Sequence, residues 1–305
     1  MRKIFIVMDY ACNNACISCA KKSVERGGFS LDKLIEQIDL IKPSEGDYIE
    51  LSGGEPTLRE DLFEVCNYIK TNFNIPLVIL SNGRKFKDKS FAKKIKDLGI
   101  DRVMTAFYSP YEEMHDSITV RMGSFSDAVS GLKNLEEVGV PISVKTVVLR
   151  QNYRQLADFV RFAYDIFPSA WVSIHGLIMR GIAHENREQI AVQYKDIKPY
   201  VEEALDEAIK REKNLGVFTI PSCAIDPAYW QYLGKNWKNM TKEMVYISPE
   251  TTIFGNLDVA PPEYCSSCLV NENCSWAWES AWKEYINMFG TNELNRVATS
   301  QLRHE

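Results

Sequence analysis

Several things are missing from this 305-residue chain, and each absence narrows its class. No apolar run approaches the ~18 residues that a membrane span needs. The first residues are polar and then strand-like, without a signal-peptide pattern, so a cytoplasmic location is expected. Lys plus Arg count 36 against 41 Asp plus Glu, a net charge of −5. That balance offers no basic surface for nucleic acid or an anionic membrane. There is no low-complexity tail and no repeat of solenoid length. Histidine is scarce: His115, His175, His184 and His304 form no metal-spaced pair.

Cysteine is the exception. The chain has eight, mostly clustered at short spacings, and without a secretion signal this argues for metal ligation rather than disulfides. Cys12, Cys16 and Cys19 form a C-x3-C-x2-C group directly after the apolar run Ile4–Met8. Three thiolates on one short loop can hold three irons of a [4Fe–4S] cube and leave the fourth iron open to a small molecule. Core cysteines or a zinc site are the plainer alternatives. A second motif bears on the choice. The strand-like run Asp47–Ser52 leads into Gly53-Gly54-Glu55-Pro56, where glycines permit close backbone approach and a carboxylate can accept from an ammonium group.

Together these motifs resemble the radical S-adenosylmethionine (SAM) superfamily. The resemblance implies that the amino and carboxylate groups of SAM chelate the open iron, and that Gly53, Gly54, Glu55 and Pro56 bind the SAM amino group. Further along, Ser81, Asn82, Ser109 and Lys145 resemble the family's SAM shell, Lys145 if its side chain points inward. Met179-Arg180-Gly181 stands where relatives place an adenine-contacting turn. Ser18 departs from the pattern, because relatives carry an aromatic residue there. His115-Asp116 reads as loop-ordering. The implied chemistry is reductive cleavage of SAM to a 5′-deoxyadenosyl radical that abstracts a substrate hydrogen atom.

Periodicity supports a matching fold. Strand-like runs at Lys3–Asp9, Asp47–Ser52, Pro76–Ser81, Asp101–Phe107, Pro141–Leu149 and Ala170–Leu177 alternate with helical patterns. The helices are expected at Leu31–Ile41, Arg59–Asn72, Ser90–Leu98, Ser126–Val138, Tyr153–Ile166 and Lys195–Asn214, with Gly99, Gly139 and Gly216 past helix ends. Cys66 falls on the core face of its helix. Six βα units predict an α/β fold, a partial (β/α)6 TIM-type barrel with its site at the C-terminal mouth of the strands. The expected organisation is a barrel core over 1–194, a bridging helix over 195–216 and a C-terminal region over 217–305.

In that last region Cys265, Cys268 and Cys274 have C-x2-C-x5-C spacing, which resembles the SPASM and Twitch extensions that carry auxiliary Fe–S clusters. Tyr285, Phe289-Gly290 and Glu293-Leu294 extend the likeness. With Cys223 there are four thiols, enough to ligate a second [4Fe–4S] cube completely. A zinc site on the same four residues, or three ligands with Cys223 as a thiol hydrogen donor, stay open. Trp276, Trp278 and Trp282 read as packing around this region. Three functions follow: modification of a ribosomally made peptide (crosslink, oxidation or epimerisation); dehydrogenation or epimerisation of a small molecule such as a sugar or aminocyclitol; or a non-catalytic Fe–S or zinc protein. The enzyme readings need a peptide or small-molecule substrate and an electron donor such as flavodoxin or ferredoxin.

Overall fold

Each apolar run becomes a strand, and each helical pattern returns the chain so that the next strand lies parallel to the last. The computed structural model describes residues 2–21, 27–234, 244–254, 262–270, 274, 279–292 and 294. Trp276, Trp278, Glu293 and His304 lie outside them. Strands β1 (Lys3–Val7), β2 (Tyr48–Ser52), β3 (Leu77–Ser81), β4 (Arg102–Ala106), β5 (Ile142–Val147) and β6 (Trp171–His175) all fall within two residues of the expected runs. The connecting helices are α1 (Leu31–Ile41), α2 (Leu62–Phe73), α3 (Lys89–Asp97), α4 (Glu112–Thr119), α5 (Ser124–Glu137) and α6 (Leu156–Ile166). After β6 come α7 (Gly181–Glu185), α8 (Arg187–Ile190) and the long α9 (Tyr194–Lys210).

Local chemistry sets the helix ends. The Ser30 side chain accepts from the Lys33 N–H and caps α1. Gly99 and Gly139 follow α3 and α5 with φ of 67° and 77°, the left-handed backbone that terminates a helix. Gly216 does not follow the same logic. It lies inside a further strand, β7 (Leu215–Phe218), opposite Ser173. There a Cβ would meet the Phe218 ring at 2.6 Å and Trp171 at 3.0 Å. α9 stops at Lys210 instead, and Glu212 takes the left-handed turn with φ 54°. The expected helix from Arg59 begins later, because Pro56–Leu58 forms a 3-10 turn.

Among the described residues the sheet has nine strands in the order β7-β6-β5-β4-β3-β2-β1-β8-β9. β8 (Met244–Ser248) pairs parallel with β1, and β9 (Thr251–Phe254) turns back antiparallel on β8. The sheet is not closed, so the architecture is a partial barrel. Alternation along the strands gives it two faces. Ile4, Ile6, Ile49, Leu51, Ile79, Val103, Val144 and Val172 are fully buried under the helices. Phe107, Phe159 and Phe167 join this layer, each contributing about 1.5–3 kcal/mol by burial. Cys66 is buried there too, as expected. The opposite face carries Lys3, Phe5, Tyr48, Val78, Lys145, Trp171 and His175, all half-buried, and forms the lumen. Helix α10 (Glu279–Phe289) docks against α9: the Tyr194 N–H donates to the Tyr285 hydroxyl at 2.8 Å and the two rings stack 4.1 Å apart.

Candidate active site

β1 runs out at Val7, and the next residues form the loop that carries Cys12, Cys16 and Cys19 at the C-terminal mouth. Neighbouring elements grip this loop from several sides. The Ala15 and Ile17 N–H groups donate to the Thr119 and Ile118 carbonyls at 3.0 Å, at the end of α4. The Ala183 and Ile182 N–H groups, in the first turn of α7, donate to the Cys19 and Lys21 carbonyls at 2.9 Å. The Arg84 guanidinium donates to the Asn13 carbonyl at 2.9 Å and to the Asn14 side chain at 3.1 Å. Cys12 is exposed; Cys16 and Cys19 are half-buried. Burial pushes the Cys16 thiol up to about 12, and the nearby charges of Cys19 and Cys12 push in the same direction. The Cys12 and Cys16 thiols, both pushed up chiefly by burial, fit a cationic cluster, which would hold them as thiolates.

The Gly-Gly-Glu-Pro element is built against this same loop. The Gly54 N–H donates to the Asp9 carbonyl at 2.7 Å and the Glu55 N–H to the Ala11 carbonyl at 2.8 Å. A Cβ on Gly53 would sit 2.3 Å from the Asp9 oxygen, and one on Gly54 would sit 1.8 Å from the Ala11 oxygen. The glycines therefore serve a close approach between two protein backbones. Pro56 is buried at the start of its 3-10 turn. The Glu55 carboxylate is buried, and its Oε1 accepts from the Thr57 N–H at 3.1 Å, the Thr57 hydroxyl at 2.7 Å and the Ser81 hydroxyl at 2.8 Å. Its Oε2 accepts from the Asn82 N–H at 2.6 Å. Burial raises the Glu55 pKa, and these hydrogen bonds oppose it.

The other expected site residues divide. Ser81 gives its hydroxyl to Glu55 and accepts from the Gly83 N–H at 3.0 Å. Asn82 donates to the Asn13 side chain at 2.6 Å, tying the end of β3 to the cysteine loop. Ser109 is buried, donating to Gln155 at 2.9 Å and accepting from the Tyr111 N–H at 3.1 Å. Lys145 points into the lumen, in register with Ala106 and Ser173. Asn152 is buried and donates to the Tyr108 and Val147 carbonyls at 2.8 and 2.9 Å. Met179-Arg180-Gly181 leads into α7; a Cβ at Gly181 would meet the Lys21 carbonyl oxygen at 2.1 Å. Ser18 donates to the Tyr108 hydroxyl at 3.3 Å. Asp116 accepts from the Gly123 and Phe125 N–H groups at 2.5 and 2.8 Å, so His115-Asp116 does order the α4–α5 turn.

Two residues take places that the sequence did not assign them. Tyr108 is buried beside Cys16, to whose thiol its hydroxyl hydrogen-bonds. Lys21 directs its ammonium over the Tyr10 ring at 5.7 Å, and this buried nitrogen has no hydrogen-bond partner among the described residues. Burial lowers its pKa, while Cys19, Cys12, Glu55 and Asp9 all act to raise it. It is thus an orphaned cation among the thiols and the buried carboxylate, as an anionic group of a ligand would require. Lysines are common in loops, so no pattern in the sequence marked it.

The second cysteine group is assembled from separate segments. Cys223 lies in a 3-10 turn, Ser222–Ala224, just beyond β7. Cys265 ends the turn Glu263–Cys265, and the Cys268 N–H donates back to the Cys265 carbonyl at 3.0 Å. The Ser222 N–H donates to the Cys274 thiol at 3.4 Å. Burial pushes Cys223 up to about 12, and Cys274, Cys265 and Cys268 all add to the shift, so the four thiols lie near one another. Among the described residues no three His, Cys, Asp or Glu converge as they would on a single metal ion.

The Radical SAM superfamily model matches residues 6–163, just over half of the chain. This chain belongs to the radical SAM superfamily. A [4Fe–4S] cluster and SAM are the cofactors that this membership implies. Among named relatives, a probable GTP 3′,8-cyclase of Saccharolobus islandicus is 25% identical over 225 residues, 71% of this chain and 70% of that one. An AdoMet-dependent heme synthase of Oleidesulfovibrio alaskensis is 26% identical over 192 residues, 61% of this chain and 49% of that one. SuiB of Streptococcus suis bound to S-adenosylmethionine has the same fold, with a TM-score of 0.69 at 15% identity over 92% of this chain and 74% of SuiB. SuiB bound to its precursor peptide SuiA gives 0.61 at 16% identity, over 80% and 57%. In a further SuiB structure this radical SAM chain spans 48% of the neighbour's length. No helix among the described residues is long and apolar enough to cross a membrane.

Proposed function

We propose that this chain is a radical SAM enzyme with two [4Fe–4S] sites and that it modifies a ribosomally made peptide by crosslinking, oxidation or epimerisation. The observation that carries the SAM reading is the joining of two motifs. The Gly53–Pro56 loop is hydrogen-bonded onto the three-cysteine loop, with a buried carboxylate and an orphaned ammonium facing the thiols. Cys12, Cys16 and Cys19 would hold the first cluster. Glu55, fixed by Thr57, Ser81 and Asn82, would accept from the SAM ammonium, and Lys21 would pair with the SAM carboxylate. Ser81 and Asn82 then act through Glu55, and Ser109 by fixing the loop after β4. Held there, a reduced cluster would supply the electron for reductive cleavage of SAM, the source of the hydrogen-abstracting 5′-deoxyadenosyl radical.

The chain's own work is to orient and exclude. Fixed hydrogen bonds leave Glu55 little freedom to reorganise when SAM arrives, which is how a preorganised site lowers a barrier. Cys12, the exposed thiol of the first group, marks where an electron donor such as flavodoxin or ferredoxin would approach. Cys223, Cys265, Cys268 and Cys274 would ligate the auxiliary cluster and pass electrons to or from the substrate. This second group supports the peptide reading and the division into a core over 1–194, a bridge over 195–216 and an auxiliary region over 217–305. A small-molecule substrate is the second reading, favoured by the likeness to a probable GTP 3′,8-cyclase.

The test is anaerobic reconstitution followed by iron, sulfide and zinc assays and a dithionite-driven assay for 5′-deoxyadenosine. About eight irons per chain, little zinc and 5′-deoxyadenosine formation are expected. About four irons would remove the auxiliary site. Absence of SAM cleavage in a fully loaded protein would overturn the enzyme reading.

A further inference from the structure

The lumen holds a second group of charges, Lys3, Glu50 and Lys145, whose interactions are with one another. Lys3 opens β1 and pairs with Glu50 of β2 at 2.7 Å, so those two charges neutralise each other. Lys145 stands across the lumen on β5. Its charged neighbours are Glu50, which raises its pKa, and Lys3, which lowers it; burial lowers it most. No hydrogen bond or ion pair from the described residues reaches its ammonium, although part of its surface faces the lumen. His175, next along the mouth on β6, is hydrogen-bonded to the Ser173 hydroxyl at 3.1 Å and stacked on Phe218 at 4.9 Å. Burial holds it well below its ordinary pKa, and the Lys145 and Lys3 charges add to that, so it stays neutral and supplies no counter-charge. Phe5 and Tyr246 stack at 5.8 Å on the far wall.

We propose that Lys145 is the anchor for an oxyanion, a carboxylate or phosphate, on the substrate, with the aromatic wall of Phe5, Tyr246 and Phe218 against the substrate's apolar part. The argument rests on the SAM reading above, because it divides two cations between two anions. Lys21 faces the thiols and Glu55, at the SAM end. Lys145 faces Glu50, Lys3 and His175. A half-buried cation without a hydrogen-bond partner is costly, and an incoming oxyanion lowers that cost by giving it a charge-assisted hydrogen bond. Selectivity follows: an uncharged analogue of the substrate leaves the cation unpaired and is rejected.

The test compares Lys21→Gln, Lys145→Gln and Lys145→Arg in the reconstituted full chain. SAM affinity is measured by equilibrium dialysis, and pyrophosphate and succinate are titrated calorimetrically into SAM-loaded protein. Iron content checks that each variant folds. Wild type should bind at least one probe, and whichever binds identifies the phosphate or the carboxylate source. K145Q should weaken that probe about tenfold or more, with K145R recovering most of it. K21Q should weaken SAM by a similar factor. Loss of SAM affinity in K145Q equal to that in K21Q would assign Lys145 to the SAM carboxylate and overturn the proposal. So would wild type that binds neither probe. Failure of wild type to bind SAM at all would instead strike the enzyme reading.

Discussion

The two cysteine groups are built in opposite ways. The first sits on one short loop, and the barrel grips that loop through β2, α4, α7 and the Arg84 guanidinium. The second brings Cys223 to a later stretch that carries Cys265, Cys268 and Cys274, with the Ser222–Cys274 hydrogen bond as one direct tie. The first site is shaped by the fold before any metal arrives. At the second, a metal would itself join segments far apart in sequence, so its binding would be part of folding.

Four experiments sharpen or break this contrast. The largest effect is expected from Cys16→Ala, which should abolish 5′-deoxyadenosine formation and lower iron by about four per chain, whereas C268A should remove a similar amount of iron and lower SAM cleavage less. Equal loss in both would mean that the two sites are not separable. Next is Gly54→Ala. Its methyl would meet the Ala11 oxygen at 1.8 Å, backbone against backbone, so denaturant melts should report destabilisation of about 3 kcal/mol or more. An unchanged midpoint would show that the two loops can part without penalty.

The third concerns acid. Burial depresses His115 to about 4, and its Nδ1 accepts from the Tyr108 N–H at 3.3 Å. A histidine held neutral contributes stability that is complete above its unfolded pKa near 6.5 and is lost as pH falls toward 4. The size is about 3 kcal/mol, the free-energy equivalent of moving from 6.5 to about 4. His115→Phe should flatten the stability profile between pH 6.5 and 4, though it leaves the Tyr108 N–H unpaired. Because α4 holds the first loop, acid should release SAM-site iron before auxiliary iron; the reverse order, followed by iron release to a chelator, would contradict the contrast. The smallest effect is expected from Tyr285→Phe, which strips the acceptor from the Tyr194 N–H. Thermal melts should lose about 1 kcal/mol, chiefly from the docking of α10.

Much of the barrel was legible because a buried parallel strand is a short apolar run ending in polar residues, as Asp47–Ser52 and Pro76–Ser81 are. The motifs were legible because cysteines and glycines at fixed spacing have few other uses. The residues around them were harder. Ser81 and Ser109 could be placed near the site, yet a serine's letter does not say whether its hydroxyl faces a ligand or, as here, Glu55 and Gln155. Gly216 read as a helix end because Lys210–Asn214 is polar throughout, and nothing local announced that Phe218 and Trp171 would close over it. β8 was missed because its apolar residues stand among aromatic loops and its partner, β1, is at the other end of the sequence. The lumen charges depend on cross-strand register, which a single sequence does not encode locally.

That pairing of β1 with β8 has a consequence for synthesis. Lys3 lies in register with Met244, so β1 is completed on one side by a strand made much later, β8. At about 5–20 residues per second, a ribosome needs roughly 12–48 s to travel between them. Throughout that interval one edge of β1 has no neighbour, and the cysteine loop that follows it hangs from a strand still open to other chains. The nascent protein thus passes through a stage in which crowding partners compete with its own tail for the same backbone groups. Yield in a cell should depend on how quickly the tail arrives, and slowing translation late in the message should cost more soluble protein than slowing it early.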